Sequence, residues 1–309
     1  MDRTLRLAAD LEVGRLGFGA MQLCGPGVWG DPPDRPGALA LLRRAVELGV
    51  GLIDTADAYG PESNERLIAE ALHPYPPGLV VATKGGQRRL GPGAWSADGR
   101  PEHLRRACEA SLRRLRRERI DLYQLHAVDP EVPLEESVGA LDRLRQEGKV
   151  RLLGLCNVDA GQLRRARAVA PIATVQNRYN LFDRVDPELL ALCERERIAL
   201  ICWFPLADGE LRRGTGALGR IARDRGLAPA QVALAWLLAR SPVTLPIPGT
   251  RSPAHLEQNL GALEVGLSRT EMAALEAQRR PAVARLRRLA RGGARRGRRL
   301  ARGLRARIG

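Results

Sequence analysis

The chain has 309 residues, 44% of them hydrophobic, with only three Phe, four Trp and four Tyr, so one large interior filled by aliphatic side chains is expected. Its formal charge of +15 invites a polyanion as partner, but residues 279–309 hold 13 Arg and no acid, which leaves 37 bases against 35 acids elsewhere, a net of +2. The charge is a property of the tail. No apolar run reaches the ~18 residues of a membrane span, and none follows Met1 in the manner of a secretory signal, so a cytoplasmic location is expected.

Five cysteines, Cys24, Cys108, Cys156, Cys193 and Cys202, are scattered and form no C-x-x-C pair. They are read as reduced, buried thiols, and no metal site is expected.

Taken in chain order, residues 4–13 suggest a small hairpin closing the floor of the fold. Eight short apolar runs follow, at 16–21, 51–54, 79–83, 120–125, 150–156, 173–176, 199–204 and 243–247. Amphipathic stretches between them, such as 101–115, 133–146 and 187–195, open with proline, which a first helical turn tolerates. A further helix is expected at 227–240. Eight βα units close naturally into a (β/α)8 TIM barrel, so an α/β fold with a single domain over 1–278 is expected. An open doubly wound sheet would carry a Gly-rich dinucleotide fingerprint after its first strand, and Gly17-Phe18-Gly19-Ala20-Met21-Gln22 does not complete one.

The Gly- and Pro-rich stretches 24–37 and 85–99 are read as loops over the mouth of the barrel. The tail 279–309 is read as a disordered extension. Its Leu286, Leu289, Leu300, Leu304 and Ile308, interleaved with Arg, leave nucleic-acid or acidic-membrane contact as the rarer alternative.

Barrel enzymes do their chemistry where the strands end. The polar residues that end these runs are Asp54, Lys84, His126, Asn157, Gln176 and Trp203, with Tyr59 five residues after Asp54. Each has an ordinary explanation alone: a helix cap, packing, a satisfied core histidine. Together they read as a proton-transfer site. A phenol titrates near pH 10 and is a poor acid unless a cation favours its anion. Lys84 supplies the cation and is expected to make Tyr59 more acidic, Asp54 keeps the lysine charged, and His126 orients a carbonyl oxygen.

The segment Gly51-Leu52-Ile53-Asp54-Thr55-Ala56-Asp57-Ala58-Tyr59-Gly60 resembles the first signature of the aldo-keto reductase superfamily. Ala82-Thr83-Lys84 is similar to its lysine strand and Asp121-Leu122-Tyr123-Gln124-Leu125-His126 to its histidine strand. The resemblance runs from about residue 12 to 278. It implies a catalytic tetrad of Asp54, Tyr59, Lys84 and His126, and NADPH in preference to NADH as cofactor. It further implies that Asn157 and Gln176 hold the nicotinamide carboxamide and that Trp203 stacks on the ring. Gly19, Ala20, Met21 and Leu206 fall among the implied cofactor contacts. The stretch 245–253 is similar to the loop that grips the adenosine phosphates, here Gly249, Thr250 and Arg251, followed by His255, Gln258 and Asn259. Three departures stand out: Cys156 replaces the usual Ser, Gly249 stands where some members carry Lys and His255 where some carry Arg, so NADP selectivity leans on Arg251.

What the resemblance implies is reduction of an aldehyde or ketone with Tyr59 as proton donor. The alternatives are an NADPH-binding sensor subunit with little turnover and a barrel enzyme using Lys84 as a Schiff-base nucleophile. Trp29 in the 24–37 loop is expected to join Tyr59 and His126 in a pocket for a small, hydrophobic carbonyl substrate. Branches with a similar loop include pyridoxal reductase-like members. Oligomeric state is not legible.

Overall fold

The chain enters through an antiparallel hairpin, β1 (Thr4–Ala8) and β2 (Leu11–Gly14), in which Thr4 pairs with Gly14 and Leu5 with Val13. A computed structural model describes residues 3–278; the Arg-rich stretch 279–309, and the tail reading with it, lies outside them. Alternation along the hairpin buries Leu7 and Val13, which pack against Leu52, Leu122, Ile201 and Leu245 and close the bottom of the barrel interior.

Next come β3 (Phe18–Gly19), β4 (Leu52–Asp54) and β5 (Val80–Gly85), then a second hairpin, β6 (Gln87–Gly91) and β7 (Ala94–Ala97). The remaining strands are β8 (Ile120–Leu125), β9 (Val150–Cys156), β10 (Ile172–Arg178), β11 (Ala199–Trp203) and β12 (Thr244–Pro246). Eight of them form one parallel sheet in the order β3-β4-β5-β8-β9-β10-β11-β12. Regular pairing is not continued from β12 back to β3. The ring closes there through the Gly17 N–H, which donates to the Pro246 carbonyl at 3.0 Å. Close approach needs glycine at this seam: a Cβ on Gly19 would lie 2.7 Å from the Ile247 carbonyl oxygen.

Helices α1 (Arg35–Glu47), α2 (Ser63–Leu72), α3 (Pro101–Leu115), α4 (Leu134–Gln146), α5 (Ala160–Arg167) and α6 (Pro187–Glu196) cover the outside. They are joined by α7 (Gly216–Asp224), α8 (Pro229–Arg240), α9 (Pro253–Leu260) and α10 (Arg269–Ala277). Proline opens α3, α6, α8 and α9, and reciprocal capping boxes start α5 (Asp159 with Gln162) and α10 (Ser268 with Glu271). Aliphatic residues carry most of the strand-to-helix core, as the composition requires.

The runs at 120–125 and 150–156 and the helix at 101–115 have the expected bounds. Three expectations are corrected. The first strand pairs only at Phe18–Gly19, because the chain then coils into a 3₁₀ turn, Ala20–Leu23. The 24–37 loop stops at Asp34, whose carboxylate accepts the Gly37 N–H (2.9 Å) and starts α1 early. The 85–99 stretch is not a plain loop: Pro92-Gly93 turns it into the β6–β7 hairpin, with Arg88 paired to Ser96 and Arg89 to Trp95.

Candidate active site

Alternation along the barrel strands builds the site. Leu52, Ala82, Leu122, Ala199, Ile201 and Leu245 fill the interior, and the next residues on the same face are Asp54, Lys84, Gln124 and Trp203. The apolar filling thus gives way to a polar layer at the C-terminal mouth. Gly154 makes room within it: a Cβ there would meet the Thr174 hydroxyl at 2.2 Å and the Gln124 side chain at 2.8 Å.

Lys84 is fully buried and its ammonium donates to three acceptors: Asp54 Oδ2 at 2.6 Å, the Thr55 carbonyl at 2.7 Å and the Tyr59 hydroxyl at 3.4 Å. Asp54 Oδ1 in turn accepts from Gln176 Nε2 at 2.7 Å and Gln124 Nε2 at 3.4 Å. Burial works against the charge on Lys84, but the Asp54 carboxylate more than offsets it and holds the ammonium above its ordinary range. Such a lysine has no lone pair for attack on a carbonyl, which disfavours the Schiff-base alternative.

Tyr59 sits in the β4–α2 connection, fixed by the Thr55 N–H to the Ala82 carbonyl (2.8 Å) and by buried Asn64, which joins the Thr55 hydroxyl (2.7 Å) to the Ala20 carbonyl (3.0 Å). Burial pushes its hydroxyl up to about 12, although Lys84 pulls the other way. This corrects the expectation of a more acidic phenol: the loss of hydration outweighs the neighbouring cation. Tyr59 is a neutral phenol at physiological pH. Since an ammonium only donates, the Tyr59 oxygen accepts from Lys84 and its own hydrogen is left for a ligand.

His126 lies edge-on to Tyr59, the ring centroids 5.6 Å apart. Burial, with the charges of Lys84 and Arg89, holds it well below the usual histidine range, so the imidazole is neutral; its Nδ1 is buried with no hydrogen-bond partner among the described residues. The backbone of His126 accepts from Asn157 Nδ2 (3.3 Å), and Asn157 Oδ1 accepts from the Trp203 indole (3.0 Å).

These side chains open onto a cleft of about 900 Å³ that runs across the barrel mouth. Of the residues expected to contact cofactor or substrate, Gly19, Met21, Asp54, Tyr59, His126, Asn157, Gln176, Trp203, Leu206, Gly249, Thr250, Arg251 and His255 line it. Ala20, Trp29, Gln258 and Asn259 do not; Trp29 is 37% exposed, its ring over Arg89, and Trp95 takes the wall position expected of it. Lys84 lies beneath the lining. At the far end, Thr250 Oγ1 accepts the Ser252 N–H (3.0 Å) and Ser252 Oγ accepts from His255 N (3.4 Å), so α9 starts from a capped turn directly after Arg251. Sequence reasoning missed Arg212, which lines this end half-buried and reaches Asn259 Oδ1 at 3.4 Å. It also missed Gln124, although a polar residue two before His126 on a core strand was a readable signal. Cys156 lines the cleft as a buried thiol pushed up to about 12 by loss of hydration.

Among the described residues no group of His, Cys, Asp or Glu is arranged to hold a metal ion, and no helix is long and apolar enough to cross a membrane. An eight-stranded barrel with a buried ammonium–phenol pair at the mouth of a long cleft defines an oxidoreductase of the carbonyl-reducing kind. The chain belongs to the aldo/keto reductase family, whose model matches residues 15–280. It is 43% identical over 267 residues to an uncharacterized oxidoreductase of Schizosaccharomyces pombe, covering 86% of this chain and 87% of that one. To the pyridoxine 4-dehydrogenase of Escherichia coli it is 41% identical over 271 residues, covering 86% of this chain and 94% of the relative. A Klebsiella pneumoniae aldo-keto reductase solved in complex with NADPH superposes with a TM-score of 0.76 at 30% identity, over 89% of this chain and 94% of that structure.

Proposed function

We propose that the protein reduces an aldehyde to the alcohol with NADPH, Tyr59 giving the proton. The observation that carries this reading is Lys84 bridging Asp54 (2.6 Å) and Tyr59 (3.4 Å) beneath the cleft, beside a neutral His126. A cofactor of this size fits the residues present: the cleft of about 900 Å³ is lined by Arg251, which makes no ion pair among the described residues, by half-buried Arg212 and by Ser252 at the α9 N-terminus, a set that favours phosphate. Bound NADPH supplies the hydride. Asn157 and Gln176 would hold the carboxamide and Trp203 would flank the ring, as their place on the lining supports.

Tyr59 and His126 donate hydrogen bonds to the carbonyl oxygen and polarise it. As the oxygen gains charge it becomes a far stronger base than a phenolate, so a phenol near 12 still transfers its proton downhill. Lys84 then faces the phenolate and stabilises it until a proton returns. Asp54, pinned by Gln176 and Gln124, keeps the ammonium in place.

The E. coli relative's name makes pyridoxal the first aldehyde to test. A panel led by pyridoxal, followed at the reduced-cofactor absorbance with NADPH and NADH, is expected to show turnover with NADPH preferred. Cofactor binding with no turnover on any aldehyde would favour the sensor reading.

A further inference from the structure

Arg89 lies on β6, outside every role assigned so far. Its Nη1 donates to the carbonyls of Val28 (2.6 Å) and Ala58 (3.0 Å), and its Nη2 to those of Gly27 (2.8 Å) and Gly91 (3.3 Å). One guanidinium therefore ties three segments together: the 24–34 loop, the backbone immediately before Tyr59, and its own hairpin. Its plane also covers Trp95 at 3.8 Å. Trp95 in turn meets Tyr59 edge-on at 6.3 Å and His126 at 6.1 Å.

Apart from Arg89, the loop and the Tyr59 segment meet through the Gly30 N–H to the Gly60 carbonyl and the Ser63 hydroxyl to the Gly30 carbonyl (3.2 Å). Val28 is a β-branched residue at φ 57, a conformation that survives only when its surroundings impose it. The Val28 carbonyl accepts from Arg89 and from Gly60 N (3.3 Å), and the Gly27 carbonyl accepts from Arg89 and Gly93 N (3.1 Å). No carboxylate is paired with Arg89 among the described residues. Its charge is shared among four carbonyl oxygens and two ring faces, whereas an ammonium has only three N–H donors and could not serve all four carbonyls.

We infer that Arg89 is a positioning residue of the carbonyl pocket: it presets Trp95 and the Tyr59 backbone, and it does not receive a substrate anion. This rests on the carbonyl-reducing reading above. All four terminal N–H groups are engaged, and the remaining Nε–H is buried without a partner among the described residues. A substrate carboxylate would have to break the clamp to reach the guanidinium. Loosening the clamp misplaces the proton donor relative to the carbonyl, a fault that falls on the rate of the bound complex more than on its formation.

The test compares wild type, Arg89→Ala and Arg89→Lys on benzaldehyde and 4-carboxybenzaldehyde, with NADPH affinity read by fluorescence titration. Both variants are expected to lose about 100-fold in kcat/KM on both aldehydes, mostly in kcat, with the NADPH Kd within about twofold of wild type. Guanidinium ion added at about 50 mM is expected to restore Arg89→Ala at least fivefold and to leave wild type unchanged, a rescue that a general loss of structure does not show. If Arg89→Ala fails to fold, Arg89→Lys carries the same comparison. A loss confined to 4-carboxybenzaldehyde makes Arg89 an anion receptor and overturns the inference. So does a variant matching wild type, or one that loses aldehyde turnover and NADPH affinity in equal proportion. A wild type that reduces no aldehyde overturns the proposed reaction, and this inference with it; an active wild type with unaffected variants overturns this inference alone.

Discussion

The two ends of the cleft solve opposite problems. At the carbonyl end the buried ion pair is answered inside the protein: Lys84 spends its N–H groups on Asp54, Thr55 and Tyr59, and both Asp54 oxygens are engaged. At the far end Arg251 is exposed and makes no ion pair among the described residues, and Arg212 reaches only the neutral Asn259. Internal pairing fixes the Lys84 and Tyr59 atoms and leaves the Lys84 charge no partner outside the protein. Unanswered donors leave affinity available to a phosphate, which is what a loosely hydrated guanidinium beside a helix N-terminus provides.

Removing the phenol breaks the carbonyl end most severely. Tyr59→Phe is expected to slow aldehyde reduction by about 10³-fold or more while the protein still binds NADPH, as stopped-flow turnover and fluorescence titration would show. Next is Lys84→Met, which strands the Asp54 carboxylate in a site where both side chains are almost fully covered. Denaturant unfolding should register a loss of about 3–5 kcal/mol, and turnover should fall about 100-fold or more.

The far end is sharpened by Arg251→Ala and Arg212→Ala. Each should weaken NADPH by about tenfold while NADH affinity moves little, because a lost charge-assisted bond to phosphate is worth about 1.5–3 kcal/mol before water replaces it. Equal losses for the two cofactors would remove the 2′-phosphate from this end. The smallest effect is on pH. In the proposed reaction Tyr59 gives a proton and must be protonated; with its hydroxyl near 12 and His126 neutral, the kcat of reduction should stay level from about pH 6 to about pH 10. Alcohol oxidation needs the phenolate and should rise with pH across that range. A histidine limb in the reduction profile near 6.5 would contradict the neutral imidazole.

Legibility in the sequence followed the regularity of the chain. Asp54, Lys84 and His126 could be read because each ends an apolar run whose period fixes its face, and the hairpin 4–13 could be read from its alternation. Tyr59 was readable only through its spacing from Asp54 within a recognised signature. Arg89 and Trp95 were lost because glycine and proline made their segment look like an irregular loop, although two strands flank its turn. Arg212 was hidden in a 3₁₀ segment broken by positive φ at Asp208 and Gly209, a backbone path that no periodicity announces. Trp29 was chosen for the pocket on apolar character, whereas the β6–β7 hairpin brings Trp95 there instead. The sign of the Tyr59 shift was missed for a physical reason: the cation was visible in the sequence, and the depth of burial was not.

The most direct test follows the hydrogen. Reduction of pyridoxal, or of the best aldehyde in the panel, with NADPH carrying deuterium at both nicotinamide C4 positions should place one deuterium on the carbinol carbon of the product. The proton on the new hydroxyl should come from Tyr59 and so from solvent. An alcohol with no deuterium on that carbon, formed at an undiminished rate, would contradict hydride transfer to a carbonyl beside Tyr59.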